Sequence, residues 1–486
     1  MNTGKGGDIN IFTKDLVLQD GARIGATTYS NALGGNINVH ASDSIQLLEN
    51  RFANTFRQGD IITFISAGTV SSGNAGSVDI SANYLKITDG GTIASSTLGP
   101  GSGNNITVNA NSIEIIGIKP ERSAPSTIAA SAFNSGNAGS LLINTSQLQL
   151  KDGGVVNSAS ISSGDAGSII INAKNFIEIS GKAGNSQPSF ISSSVNSPNE
   201  IVKQIFRVSA LPTGSGGSLT INTQALNING GGTINVGNEG SGNGGKININ
   251  ANTINVKNGS IFATTAIGEG GNISLNSQNI QLNDSSISAT AGSNRSNGNG
   301  GNIDISADTV VLSESSNITA NAFEGRGGNI EINSPAFLLS ANSQVSATSE
   351  QGINGTVKIN TSQLDVVNSG IATSTFTPSV LENTCSPEPP SYSLDIAGKG
   401  GTPLGPNDLF TSIRGWTEQP IPIAPSQFIQ PNEAQNNETE NVIVAQGWKD
   451  NGDGTVSFTI TPDPQEDPTA YSSPIKSSCL HPKSVE

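Results

Sequence analysis

Residues 300–334 read GGNIDISADTVVLSESSNITANAFEGRGGNIEINS, and the phrase Gly-Gly-Asn-Ile-acid-Ile both opens and closes the stretch. Ile303 and Ile330 occupy the same place in the two phrases, 27 residues apart. The same apolar marker recurs as Ile9, Ile37, Val78, Ile106, Leu141, Ile169, Leu219, Ile247, Ile273, Ile303, Ile330 and Val357. Successive steps are 28, 41, 28, 35, 28, 50, 28, 26, 30, 27 and 27 residues. A basal period near 27 is therefore interrupted by three insertions. Periods of about 20–50 residues mark solenoids and arrays.

Each unit holds three short alternating runs, seen here as NIDISA, TVVLSE and NITANA. Period-two alternation places one set of side chains inward and the other outward, which is the logic of a strand. No i, i+3, i+4 apolar pattern persists, and Gly, Asn and Ser disfavour helices. The pattern predicts an all-β chain whose residues 1–377 form a right-handed parallel β-helix with three strands per rung and about twelve rungs. Rungs stacked about 4.8 Å apart would make a rod roughly 55–60 Å long.

The turns carry their own spelling. Gly-Gly is expected to supply positive-φ corner positions. Asn36, Asn272, Asn302 and Asn329 are expected to tolerate left-handed geometry and to stack their amides in a ladder. A second corner reads DGGTIAS at 89–95, DGGVVNS at 152–158 and NGSIFAT at 258–264. Inward Ile, Val and Leu stack between rungs, each burial contributing about 1.5–3 kcal/mol.

Composition agrees. Glycine supplies 58 of 486 residues, and charged residues are 13% of the chain against about 25% in average proteins. The net charge of −15 disfavours nucleic acid and anionic membranes, both of which attract Lys and Arg. No run of about 18 apolar residues exists, so no transmembrane helix is expected. The N-terminal MNTGKGGDINIFTK lacks the apolar core of a secretory signal. Two cysteines make neither a disulfide-dense scaffold nor a cysteine-rich zinc module.

The insertions NRFANTFRQGD (50–60), IKPERSAP (118–125) and KAGNSQPS (182–189) each follow the second strand of a rung. Equivalent corners of a solenoid share one edge, so these loops are expected to form a lateral ridge. A further excursion at 196–213 leaves after a third strand. The ridge gathers Arg51, Phe52, Phe56, Arg57, Lys119 and Arg122 on an acidic protein. Aromatics beside Arg are enriched at interfaces, so these six are the candidate ligand residues, with simple loop growth as the alternative.

Beyond the repeat, residues 378–440 form a Pro/Gly-rich extended segment. Residues 441–486 begin with two β-runs around a Gly-rich turn, NVIVAQGWKDNGDGTVSFTI, a hairpin signal. DNGDG at 450–454 resembles a calcium loop, but Ile460 stands where the closing Glu would be required, so an ordinary turn is the competing reading.

The GGNIxI rungs, AGKGGTPLGPNDLF at 397–410 after Cys385, and VAQGW at 444–448 before GTV resemble the filamentous-haemagglutinin-like exoproteins of two-partner secretion, especially cyanobacterial ones. The rung resemblance spans roughly residues 4–377. It implies export through a partner outer-membrane pore, an extracellular or outer-surface location, and adhesion to a glycan or protein ligand. The family's signal peptide and N-terminal secretion domain have no counterpart here, and the chain opens inside a rung, as a fragment would. An outer-surface setting would oxidise Cys385 and Cys479 to a disulfide bracketing the tail, two free thiols being the alternative.

The rival function is a carbohydrate-active β-helix enzyme, a polysaccharide lyase or hydrolase. Glycosidic hydrolysis needs two carboxylates roughly 5–10 Å apart. Asp79, Asp304 and Asp308 read as single outward residues, and His40 and His481 lack partner clusters. Ser-His-Asp, Cys-His, Walker and HExxH arrangements are missing. The nine-residue calcium rhythm of a β-roll and the amphipathic strands of a membrane barrel are missing too. A non-enzymatic adhesin-like rod with no cofactor, no metal site and no catalytic residue is the expected function.

Overall fold

The computed structural model describes residues 4–48, 62–119, 124–184, 187–198, 200, 203–204, 208–209, 211–292, 296–366, 447–450 and 456–459. Through residue 366 the chain is a parallel β-helix. All twelve apolar markers lie in one sheet of 14 strands, each paired with its neighbour in sequence order: Ile9 with Ile37, Ile273 with Ile303, Ile303 with Ile330, Ile330 with Val357. A second parallel sheet of 11 three-residue strands runs from Arg23–Gly25 to Gln344–Ser346.

The three alternating runs of a rung occupy two sheets, because the first two share one bent strand. Ile303–Ser313 turns Ile303, Ile305 and Ala307 inward, then Val310 and Leu312, so the alternation slips by one residue at the bend. Neighbouring strands shift register at the same place, as between Ala173 and Phe176. In the penultimate rung Pro335, which cannot donate a backbone hydrogen bond, separates Asn329–Asn333 from Ala336–Leu339. The third run contributes only a short strand, Asn317–Thr319 in the rung of Ile303, followed by single parallel bridges such as Ala322 to Ser349.

The inward residues form one aliphatic cluster from Leu18 to Ala347, with Phe337 fully buried near its end. Branched aliphatic side chains stack at strand spacing, such as Ile273 on Ile303 on Ile330, and both sheets contribute to the one cluster.

The corners divide the glycines into two roles, and one expectation is corrected. The Gly-Gly corner does not use positive φ. The second glycine of that corner, two residues before each marker, lies against the backbone of the preceding rung. A Cβ built on Gly76 would strike the carbonyl oxygen of Gly35, on Gly271 that of Gly245, and on Gly301 that of Gly271. Close approach, not left-handed freedom, selects glycine in this column. Asn104 alone takes glycine's place, with its amide donating to the Ala75 carbonyl at 3.0 Å. The asparagine ladder forms only in part: Asn329 donates to the Asn302 amide at 3.0 Å, whereas the Asn272 amide oxygen accepts from the Asn302 backbone N–H and that of Asn36 from the Ser77 backbone N–H, both at 3.0 Å. None of these asparagines adopts positive φ.

Left-handed geometry sits at the other corner, after the long strand. Asp20, Asp89, Asp152, Asn258, Asp284 and Glu314 have φ between 47° and 56°, and Gly117 and Gly181 fill the same place in their rungs. Asp and Asn are the non-glycine residues that tolerate this region best. Buried serines then close the turn. Ser126 Oγ accepts from Gly90 N–H and donates to the Ile116 carbonyl; Ser189 does the same for Gly153 and Ser180.

Considered by itself, the C-terminal unit of residues 400–486 contains the expected hairpin. Gly447–Asp450 pairs antiparallel with Val456–Thr459, with Trp448 opposite Phe458. Cys385, Cys479 and the Pro-rich segment lie outside the described residues.

Candidate functional site

Two insertions grow from the left-handed corner as short antiparallel hairpins. Ile118–Lys119 pairs with Ala124–Pro125, and Lys182–Ala183 with Gln187–Pro188. Each is pinched at its base: Ser126 N–H donates to the Gly117 carbonyl at 3.0 Å, and Ser189 N–H to the Gly181 carbonyl at 3.1 Å. The rung therefore closes as though nothing had been inserted. The two hairpins flank the intervening turn, since a Cβ on Gly153 would lie 2.7 Å from Ile118 Cγ2 and 2.8 Å from Ala183 Cβ. They share one edge, as the solenoid register requires.

Of the six candidate ligand residues, Lys119 is placed by its backbone in the first hairpin. Its side chain, and Arg51, Phe52, Phe56, Arg57 and Arg122, lie outside the described residues. Sequence reading missed a different cation on this edge. Lys182, at the root of the second hairpin, extends its alkyl chain across Gly231 of the next rung. Beyond it lies an open groove of about 510 Å³, walled by Lys182 and Pro188 and floored by Thr233, Ser260, Ser286 and Asn317. Those four are equivalent outward positions of consecutive short strands, joined in register Thr233–Ser260–Ser286–Asn317. Asp284 stands exposed at the groove's margin. Hydroxyl and amide groups thus repeat at rung spacing beside a single cation, a surface able to hydrogen-bond an extended polar chain.

The outer face of the long sheet carries a second regular ladder. Asn144 donates to Asn109 at 2.9 Å, Asn172 to Asn144 at 2.9 Å, Asn222 to Asn172 at 2.8 Å and Asn250 to Asn222 at 3.0 Å. His40 lies within strand Ile37–Leu48 and faces outward, its ring 6.2 Å from that of Phe12. His481 lies outside the described residues.

Asp79, Asp304 and Asp308 are exposed. Asp304 stands in register beside Glu331, which is bound instead by Lys358 at 3.0 Å; that hydrogen bond and charge hold the Glu331 carboxyl below its usual range. Asp8 is lowered similarly, first by the Asn36 backbone N–H and then by Lys5. Among the described residues Tyr84 has the most perturbed ionisation: burial, then its 2.7 Å hydrogen bond to Glu114 one rung on, push its phenol well above the ordinary range. Apart from Lys5–Asp8, within the first rung, these are pairs between adjacent rungs. Among the described residues, no three or more His, Cys, Asp or Glu side chains gather as a metal site would require, and no helix is long and apolar enough to cross a membrane.

No family model, curated protein or solved structure matches the chain.

Proposed function

We propose that this chain is a non-enzymatic, adhesin-like structural rod, exported or displayed at a cell surface, which holds a glycan-type ligand along its hairpin-bearing edge. The observation that carries this reading is the groove beside the second hairpin, where Thr233, Ser260, Ser286 and Asn317 present hydrogen-bonding groups at a repeat set by the rungs. A polysaccharide offers hydroxyls at a similarly regular spacing, and many weak contacts along a rigid track add up as one multivalent interaction. Lys182 at one wall suits an acidic sugar. The rung spelling and the tail phrases around AGKGGTPLGPNDLF support the same reading through their resemblance to two-partner secretion exoproteins, and export through a partner outer-membrane pore belongs to it.

The purified chain should bind members of an array of immobilised glycans, with acidic polysaccharides among them. Replacing 118–125 and 182–188 by short Gly-Asn corners, which keeps Ser126 and Ser189, should abolish that binding while leaving the far-UV circular dichroism unchanged. Binding that survives both replacements would remove the edge from the proposal, and no binding to any glycan would remove the ligand class.

A further inference from the structure

Charge is distributed unevenly along the groove beside the second hairpin. Lys182 is the one cation among its lining residues, and its Nζ would lie 3.0 Å from a Cβ on Gly231, in the rung of Thr233. Among the described residues no carboxylate pairs with it. The left-handed corners of the three following rungs are Asn258, uncharged, then Asp284 and Glu314, all exposed. Asp284 therefore stands two rungs beyond Gly231, roughly 10 Å along the axis. The floor changes in step. Thr233 Oγ1 already donates to the Gly231 carbonyl at 3.2 Å, and Asn317 Nδ2 to the Ser315 carbonyl at 3.0 Å. The hydroxyls of Ser260 and Ser286, between them, have no partner among the described residues, so each is free to donate as well as accept.

Resting on the glycan reading above, we propose that this groove selects an extended polysaccharide of equatorially linked pyranoses in which one acidic sugar, held by Lys182, is followed by at least three uncharged ones. The repeat favours such a chain. Its advance per sugar is close to the rung spacing of about 4.8 Å, so one ring meets one rung, whereas an extended peptide repeats its side chains on one face every 6.6 Å or so. The charges set the order of the sugars. A carboxylate over the rung of Thr233 meets the unpaired ammonium. A second carboxylate two or three sugars further on would stand beside Asp284 or Glu314 and be repelled. The groove therefore rejects a polymer that is acidic at every sugar or at every second one, and like charges placed against the wrong ligand are a common source of selectivity. Over Ser260 and Ser286 the free hydroxyls meet sugars that carry only hydroxyls of their own.

The test is titration calorimetry of the full chain with probes of one length: cellotetraose, the same tetrasaccharide with a single glucuronic acid at one end or the other, and the tetramer of glucuronic acid in the same linkage. One of the singly acidic probes should bind at least tenfold more tightly than either cellotetraose or the fully acidic tetramer. Lys182→Gln should erase its advantage over cellotetraose. Asp284→Asn combined with Glu314→Gln should strengthen binding of the fully acidic tetramer at least tenfold. Asp79→Asn combined with Asp304→Asn makes the same change of net charge at exposed positions of the long sheet and should alter that binding less than twofold, which separates the groove from the overall charge of −15. A fully acidic tetramer that binds best, or a singly acidic one no better than cellotetraose, would overturn the proposal and leave the glycan reading standing. So would equal effects of the two double variants. Failure of every probe would overturn it as well, and the glycan reading falls with it only if the immobilised array is also blank.

Discussion

Ile303→Ala and Asp304→Ala separate the two faces of a single strand. Ile303 is fully buried, stacked between Ile273 and Ile330. Truncation removes three carbons, each worth about 0.8 kcal/mol of transfer energy, or about 2.4 kcal/mol together. The cavity cannot collapse easily, because its floor and ceiling are strands held in register by ladder hydrogen bonds. A cavity term should therefore bring the cost to about 3–4 kcal/mol, inside the usual range for such truncations. Asp304 points outward and lies in register beside Glu331, so its removal relieves a like-charge neighbour. Asp304→Ala should change stability by less than about 0.5 kcal/mol, in the stabilising direction. Urea denaturation followed by circular dichroism measures the global effect. Amide exchange at residues 273, 303 and 330 measures the local one, which matters because a solenoid is stabilised by nearest neighbours and can open part by part. Equal losses from the two substitutions, or a larger loss from Asp304→Ala, would refute the stacking argument.

Ser189→Ala should cost about 1–3 kcal/mol, because it strands the Gly153 N–H in a buried corner after removing its hydroxyl acceptor; a thermal melt checks this, and an unchanged melt would mean the corner has another acceptor. Tyr84 predicts an alkaline limb of stability. Its folded-state pKa is raised above the ordinary phenol value of about 10, so its contribution is complete below that value and declines as pH rises above it. Urea midpoints measured upward from pH 9 should fall in the native chain and fall less in Tyr84→Phe.

The register was legible because it is written twice, once as period two within a strand and once as the return of Ile or Val at the next rung. Both signals are local in type and repeated twelve times, so insertions such as the 50-residue step to Leu219 do not erase them. The Asn302–Asn329 amide pair was legible for the same reason: the two occupy one column by count alone. The bend inside Ile303–Ser313 was visible only as two runs, because a strand that turns a corner without breaking its hydrogen bonds looks, in sequence, like two strands.

What could not be read depends on distances between rungs. Glycine has two uses, access to positive φ and room for a neighbouring backbone, and one letter serves both. At Gly301 the reason for glycine is the carbonyl of Gly271, 30 residues away, and only the stacked structure shows it. Conversely, true left-handed corners include Glu314, a residue type that gives no turn signal. Counting rungs placed two of the three insertions, 118–125 and 182–189, on one edge, while 50–60 lies outside the described residues, and the groove beside them was not foreseen. That groove exists because Lys182 reaches over Gly231 while Thr233, Ser260, Ser286 and Asn317 align across four rungs, and those residues share no motif. A repeat announces its axis in sequence; what lies beside the axis is set by which side chains the insertions happen to bring alongside. Function in such a rod is therefore best sought where the period is interrupted, at the hairpins, and less among the residues that keep it.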